Sequence, residues 1–363
     1  YARAGECLAK ALSIGTDNYA VRRGFVDSLR AMKLTEYSEH FEKAIMICLN
    51  DPHISKQYLS SSWLVTLQKK PELAEVSALL RNQGGYDRVV KMLKMVRSQP
   101  TFADPFFLTG LANIVVGSMY FENMVVYLRR YALMHRKEVE SWGWLPLLAA
   151  LAHQCFMVEY IGEETAEETK HIEVLLQELD AKDSPVADLL LAAAYRPLLG
   201  MKDPKAISAR LHGEADAEIR RIAREQLDEP LEEQSIVSDI ETLGEVSDEI
   251  SQAVQNQYEE NPYPRWTLVT QSARLPFAKV IKALFPFLEE DALPKAEKPR
   301  ILIPGCGTGK QVISSINRLD SCDVLAVDLS KASLSYAIRK TRELGYDNIT
   351  FKQADILKLP EVV

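Results

Sequence analysis

The stretch ILIPGCGTG at residues 301–309 constrains this chain most. An apolar run, Ile301, Leu302 and Ile303, ends at Pro304 and gives way to Gly305, Gly307 and Gly309, after which QVISSINRL resumes with helical spacing. That order reads as a strand, a tight turn and a helix. Without a Cβ, glycine takes up positive φ readily and lets a ligand approach main-chain N–H groups at a helix start. A nucleotide-like ligand is the natural reading.

The spacing separates the ligand classes that use such turns. A phosphate-cradling P-loop requires G-x-x-x-x-G-K-[ST], but Pro304 stands where its first glycine belongs and Gln311 where its hydroxyl belongs. A dinucleotide fingerprint, G-x-G-x-x-G, wants its third glycine at Lys310, and the glycine sits one place early at Gly309. The pattern G-x-G-x-G after an apolar strand resembles the S-adenosylmethionine (SAM) loop of class I methyltransferases. Two downstream signals fit that resemblance. VLAVDLS at 324–330 reads as a second strand ending in Asp328, at the interval of about 20 residues expected for a βαβ unit, where an acidic side chain can accept hydrogen bonds from both ribose hydroxyls. KASLSYAIRKTRELGY then reads as an amphipathic helix stopped at Gly345, and NITFKQADILKLP as a third strand leading into Asp355. The resemblance implies SAM as cofactor and carries Gly305, Cys306, Gly307, Gly309, Asp328, Leu329, Asp355 and Ile356 onto this chain as its contacts, Asp355 toward the adenine amino group. It also implies further strands after Asp355, which puts the acceptor pocket and the catalytic residues beyond Val363. A βαβαβ unit with ordinary turn glycines and strand-end aspartates is the competing reading.

With 363 residues, a net charge of −8 and 47 % hydrophobic residues, the composition suits two or three globular domains. The most apolar segments are interrupted by His153, Gln154, Glu159 and Arg196, so none is expected to span a membrane. The opening YARAGECLAKAL does not read as a signal peptide, and the missing initiator Met reads as a fragment or trimmed chain. Five scattered cysteines without a C-x-x-C pair fit reduced cytoplasmic thiols, and six single histidines give no metal site. The acidic balance argues against a nucleic-acid partner.

Residues 1–229 read as an all-α domain. ARAGECLAKALSI, YAVRRGFVDSLRAMKL and EYSEHFEKAIMICL are separated by GTDN and NDPH turns, with Asp17 and Asn18 as N-cap candidates. The spacing between those breaks is close to the ~34 residues of a tetratricopeptide repeat, and the first fifty or so residues resemble a degenerate one. WLPLLAALAHQCFMVEY and PVADLLLAAAYRPLLG are apolar nearly all round, as helices buried between neighbours are. Residues 230–298 form an acidic linker and helical cap: DEPLEEQSIVSDIETLGEVSDEI reads as a solvated stretch, followed by a helix stopped at NPYP. YEENPYPRW resembles the segment found in bacterial fusions of tetratricopeptide-like helices to a methyltransferase domain. Tyr258, Tyr263, Arg265 and Trp266 are expected to cover the cofactor, with Tyr263 and Arg265 among its contacts; the competing reading is a rigid connector whose Trp266 packs on the domain. Residues 299–363 are the amino-terminal part of an α/β Rossmann-like domain.

The expectation is thus a multidomain cytoplasmic methyltransferase that uses SAM and whose helical domain holds a protein or peptide acceptor. The alternatives are a non-catalytic interaction scaffold with a SAM-sensing or structural module, and an NAD-linked oxidoreductase.

Overall fold

Capping side chains set where the helices of the first half begin. In the computed structural model, residues 2–16, 18–81, 85–96, 100–244, 248–260, 266, 268–269 and 273–359 are described, and the chain divides into two units, Tyr1–Asp228 and Glu229–Val363. Asn18 accepts from Val21 N and starts the Tyr19–Leu29 helix. Asp104 accepts from Phe107 N at the head of Pro105–Asn113, whose first residue is a proline. Thr165 and Glu168 form a reciprocal capping box ahead of Ala166–Glu178.

The first unit is mainly helical, and its core runs through the Leu145–Met157 helix, in which residues 147–155 are all buried. This segment is apolar nearly all round because neighbours cover it on several sides, among them Pro105–Asn113 and Val186–Ala193. Trp63 is fully buried, donates from Nε1 to Phe106 O at 2.9 Å and meets Phe121 edge-on. Gly110 is a packing requirement here, since a Cβ added to it would fall 1.9 Å from the Trp63 ring.

Among its described residues the second unit has four parallel strands in the order β1-β4-β3-β2, with β1 Thr242–Leu243, β2 Arg300–Pro304, β3 Asp323–Asp328 and β4 Ile349–Ala354. Alternation along β3 divides its side chains between two apolar clusters: Val324 and Ala326 join Val312, Ile316, Leu334 and Phe351, whereas Val327 and Leu325 join Ala354 and Leu359. A strand buried on both faces reads as an unbroken apolar run, as VLAV does.

The acidic stretch differs from the expected solvated linker. Its Glu229–Val237 helix lies against the Lys331–Glu343 helix, where Arg339, 5 % exposed, bonds Glu233 at 2.8 Å and Glu229 at 2.9 Å. Ile236 and Ile240 enter the core of the second unit, and β1 extends the sheet beside β4. The excess of carboxylates is partly the complement of an arginine a hundred residues downstream. Among the described residues no helix is long and apolar enough to cross a membrane.

Candidate cofactor site

Parallel strands deliver their following loops to one edge of the sheet, and open α/β sheets bind ligands there. Pro304 pairs with Val327 and Asp328 with Gln353, so the glycine turn, Asp328 and Asp355 emerge at neighbouring carboxyl ends. Gly305, Gly307 and Gly309 all have positive φ, at 65°, 51° and 82°. Their surroundings differ. A Cβ on Gly305 would meet nothing within 4 Å, which leaves open space beside the turn, whereas one on Gly309 would lie 2.7 Å from Ala337 Cβ. Gly305 therefore permits the approach of a ligand, and Gly309 the approach of the Lys331–Glu343 helix.

Asp328 ties these loops together. Its Oδ2 accepts from Gly307 N at 2.7 Å and its Oδ1 from Ser330 N at 3.0 Å. A carboxylate has about four acceptor positions, so each oxygen keeps capacity for a hydroxyl donor. Cys306 N is held by Val327 O at 3.0 Å, and the buried Cys306 thiol is pushed well above its ordinary range by burial and by the adjacent Asp328 charge. Such a thiol is unreactive. Leu329 presents its carbonyl to Gln353 Nε2 at 2.8 Å, while Gln353 Oε1 accepts from Thr242 in β1.

Asp355 is 3 % exposed. Its Oδ1 accepts from Leu357 N at 3.0 Å, but the buried Oδ2 has no partner among the described residues. An unsatisfied buried acceptor is costly, about 1–3 kcal/mol and more for a charged group, and a donor on a ligand would relieve it. Open space at Gly305, spare acceptor capacity on Asp328 and the orphaned oxygen of Asp355 together fit an adenosyl cofactor with hydroxyl and amino donors. Ile356 beside Asp355 is half exposed.

Of the NPYPRW turn, Tyr263 and Arg265 lie outside the described residues. Trp266 is buried: its Nε1 donates to Thr308 O at 2.8 Å, its backbone N donates to Tyr336 Oη at 2.9 Å, and Tyr336 Oη donates back to Trp266 O at 2.5 Å. Trp266 is thereby tied by its side chain to the glycine turn and by its backbone to the Lys331–Glu343 helix. Gln353, Ser330 and Glu259 were not singled out from sequence, although all three touch the loop after β3. Ser330 had a readable signal, a serine directly ahead of a helical pattern; Gln353 and Glu259 had none, because their partners are distant in sequence.

Among the described residues no group of three or more His, Cys, Asp or Glu side chains could hold a metal ion. Residues 296–363 match the methyltransferase domain family. Over 104 residues the chain is 28 % identical to the malonyl-[acyl-carrier protein] O-methyltransferase of Paenibacillus sp. (strain JDR-2), covering 29 % of this chain and 37 % of that protein. The chain thus spans little more than a third of that curated relative. No solved structure matches. With the glycine turn, Asp328 and Asp355 gathered at one sheet edge, residues 296–363 are similar in sequence and in local geometry to the methyltransferase domains that use SAM.

Proposed function

We propose that the protein is a methyltransferase that transfers the methyl group of SAM to an acceptor held by its helical unit, and that the acceptor is a protein or a group carried on one. The observation that carries the cofactor half is the pairing of Asp328, bridged to Gly307, with Asp355 Oδ2, unpartnered among the described residues. Bound SAM supplies a sulfonium-activated methyl group for in-line transfer. The chain's own residues have positioning roles: Gly305 leaves the space, Asp328 holds the turn and receives the ribose hydroxyls, and Asp355 receives the amino group. For the acceptor, support comes from the stacked helices of the first unit with their tetratricopeptide-like opening, and from the carrier-protein substrate in the relative's name. The five free cysteines and the lack of a spanning helix among the described residues support a cytoplasmic setting.

Calorimetry with S-adenosylhomocysteine and with NAD tests this reading. The expected result is binding of the former alone, and a loss in Asp328→Ala of about 10- to 150-fold, the worth of a charge-assisted hydrogen bond. NAD binding without S-adenosylhomocysteine binding would sink it.

A further inference from the structure

The helix that follows the Asp328 loop already holds an anion at its amino terminus. Glu259, from the Glu249–Glu260 helix, accepts from Lys331 N at 2.7 Å through Oε1 and from Ala332 N at 2.9 Å through Oε2. Ser330 completes the cap, its Oγ accepting from Ser333 N and donating to Tyr258 O, both at 3.0 Å. The first-turn N–H groups of Lys331–Glu343 are thereby engaged by side chains of this protein. Left free, such groups, with their share of the helix dipole, are a ready-made site for a phosphate. The lysine of that turn gives no alternative, because Lys331 Nζ is directed to Ile240 O at 2.9 Å. Asp328 and Lys331 are three residues apart, so the ribose-facing carboxylate and the filled helix terminus lie within about 10 Å of each other along the loop.

We infer that Glu259 is a specificity-determining residue of the cofactor site, which excludes adenine nucleotides carrying a phosphate on the ribose 2′-oxygen. The inference rests on the cofactor reading above. A 2′-phosphate would meet the Asp328 carboxylate on one side and, to reach the helix N–H groups, would have to displace a second carboxylate from two charge-assisted hydrogen bonds. Loss of each bond corresponds to a factor of about ten or more in affinity. An adenosyl group without phosphate has no such conflict, which suits a cofactor whose only charges are on its methionine part. Glu259 lies ahead of the methyltransferase-family match, so the discrimination would come from outside the matched residues.

Calorimetry on the full chain with adenosine and adenosine 2′-phosphate, a pair differing by one phosphate, reads the discrimination; S-adenosylhomocysteine is the control. The wild type should bind adenosine 2′-phosphate about 100-fold or more weakly than adenosine. In Glu259→Gln that ratio should shrink by about tenfold or more, and Glu259→Asp, which keeps the charge, should retain most of it. An unchanged ratio in a Glu259→Gln protein that still binds the control overturns the inference, as does a wild type that binds the pair alike. A wild type that binds no S-adenosylhomocysteine removes the cofactor reading instead, and the inference with it. Should Glu259→Gln not fold, millimolar inorganic phosphate decides in the wild type: phosphate that leaves the control's affinity unchanged agrees with a filled terminus, and phosphate that displaces the control overturns it.

Discussion

Glu168 in the helical unit and Asp355 in the α/β unit are both buried carboxylates at the head of a helix, 0 % and 3 % exposed. Both oxygens of Glu168 are engaged from within the protein: Oε2 accepts from Thr165 N at 2.9 Å, Thr165 Oγ1 at 3.0 Å and Arg130 Nε at 2.7 Å, and Oε1 accepts from Tyr195 Oη at 2.8 Å. Among the described residues Asp355 has one bond and one orphaned oxygen. Buried polar groups left incomplete are rare in folded proteins, and each one calls for an explanation. The difference separates a carboxylate whose two oxygens are both engaged by the fold from one left with an open acceptor, and burial alone would not have told them apart.

The largest effect that could break this comparison is on stability. Removing one member of a buried, hydrogen-bonded ion pair leaves the others unsatisfied, so Glu168→Ala should cost about 3–5 kcal/mol in denaturant unfolding of the first unit. Asp355→Ala removes a cap worth about 1 kcal/mol and an oxygen with no partner, so its unfolding midpoint should move little while S-adenosylhomocysteine affinity falls about tenfold or more. Equal destabilisation by the two, or unchanged affinity in Asp355→Ala, would dissolve the distinction.

A smaller effect sharpens it within the glycine turn. Gly305→Ala and Gly309→Ala both force an L residue into positive φ, at about 1–2 kcal/mol each. Only Gly309→Ala also drives a methyl group into Ala337, 2.7 Å away, which adds about 1–3 kcal/mol of overpacking. Gly309→Ala should therefore unfold first, and Gly305→Ala should show its larger effect on cofactor affinity. Matching midpoints would mean that the two glycines do the same job.

What the sequence made legible follows from how local each cause is. The strand, turn and helix at 301–316, the strand ending at Asp328 and the helices of the first half depend on residue periodicity, glycine and caps, all readable over a few positions. The glycine turn and Asp328, 21 residues apart, were associated through family resemblance; that they meet through Gly307 N required the fold. The acidic segment misled because charge in sequence is blind to its partner: Glu229 and Glu233 read as solvated until Arg339 is placed between them. The open valence of Asp355 and the occupied helix terminus at Glu259 are facts about hydrogen-bond completeness, which no spacing rule encodes. Period-two reasoning could place Gln353 on a strand face but could not give it Thr242 and Leu329 as partners.

The smallest expected effect tests the closed carboxylate by pH. Burial alone would raise the Glu168 carboxyl, but the Thr165 N–H, the Tyr195 hydroxyl and the Arg130 guanidinium stabilise its ionised form more strongly, and the net result is a value below the ordinary one. The unfolded chain, with glutamate near about 4.3, then binds more protons than the folded one in the window between the two values. The contribution is fully present above the unfolded value and is lost as pH falls through the folded value, with a slope of at most about 1.4 kcal/mol per pH unit for one proton. Glu168→Gln has no such proton to gain. Urea unfolding of the wild type and Glu168→Gln from neutral pH into the acid range should show a stability gap that is constant above the ordinary carboxylate range and narrows below it, because a protonated Glu168 and a glutamine are close equivalents. A gap that stays constant through the acid range would mean that the network does not hold the charge, and the contrast with Asp355 would then rest on hydrogen-bond counting alone.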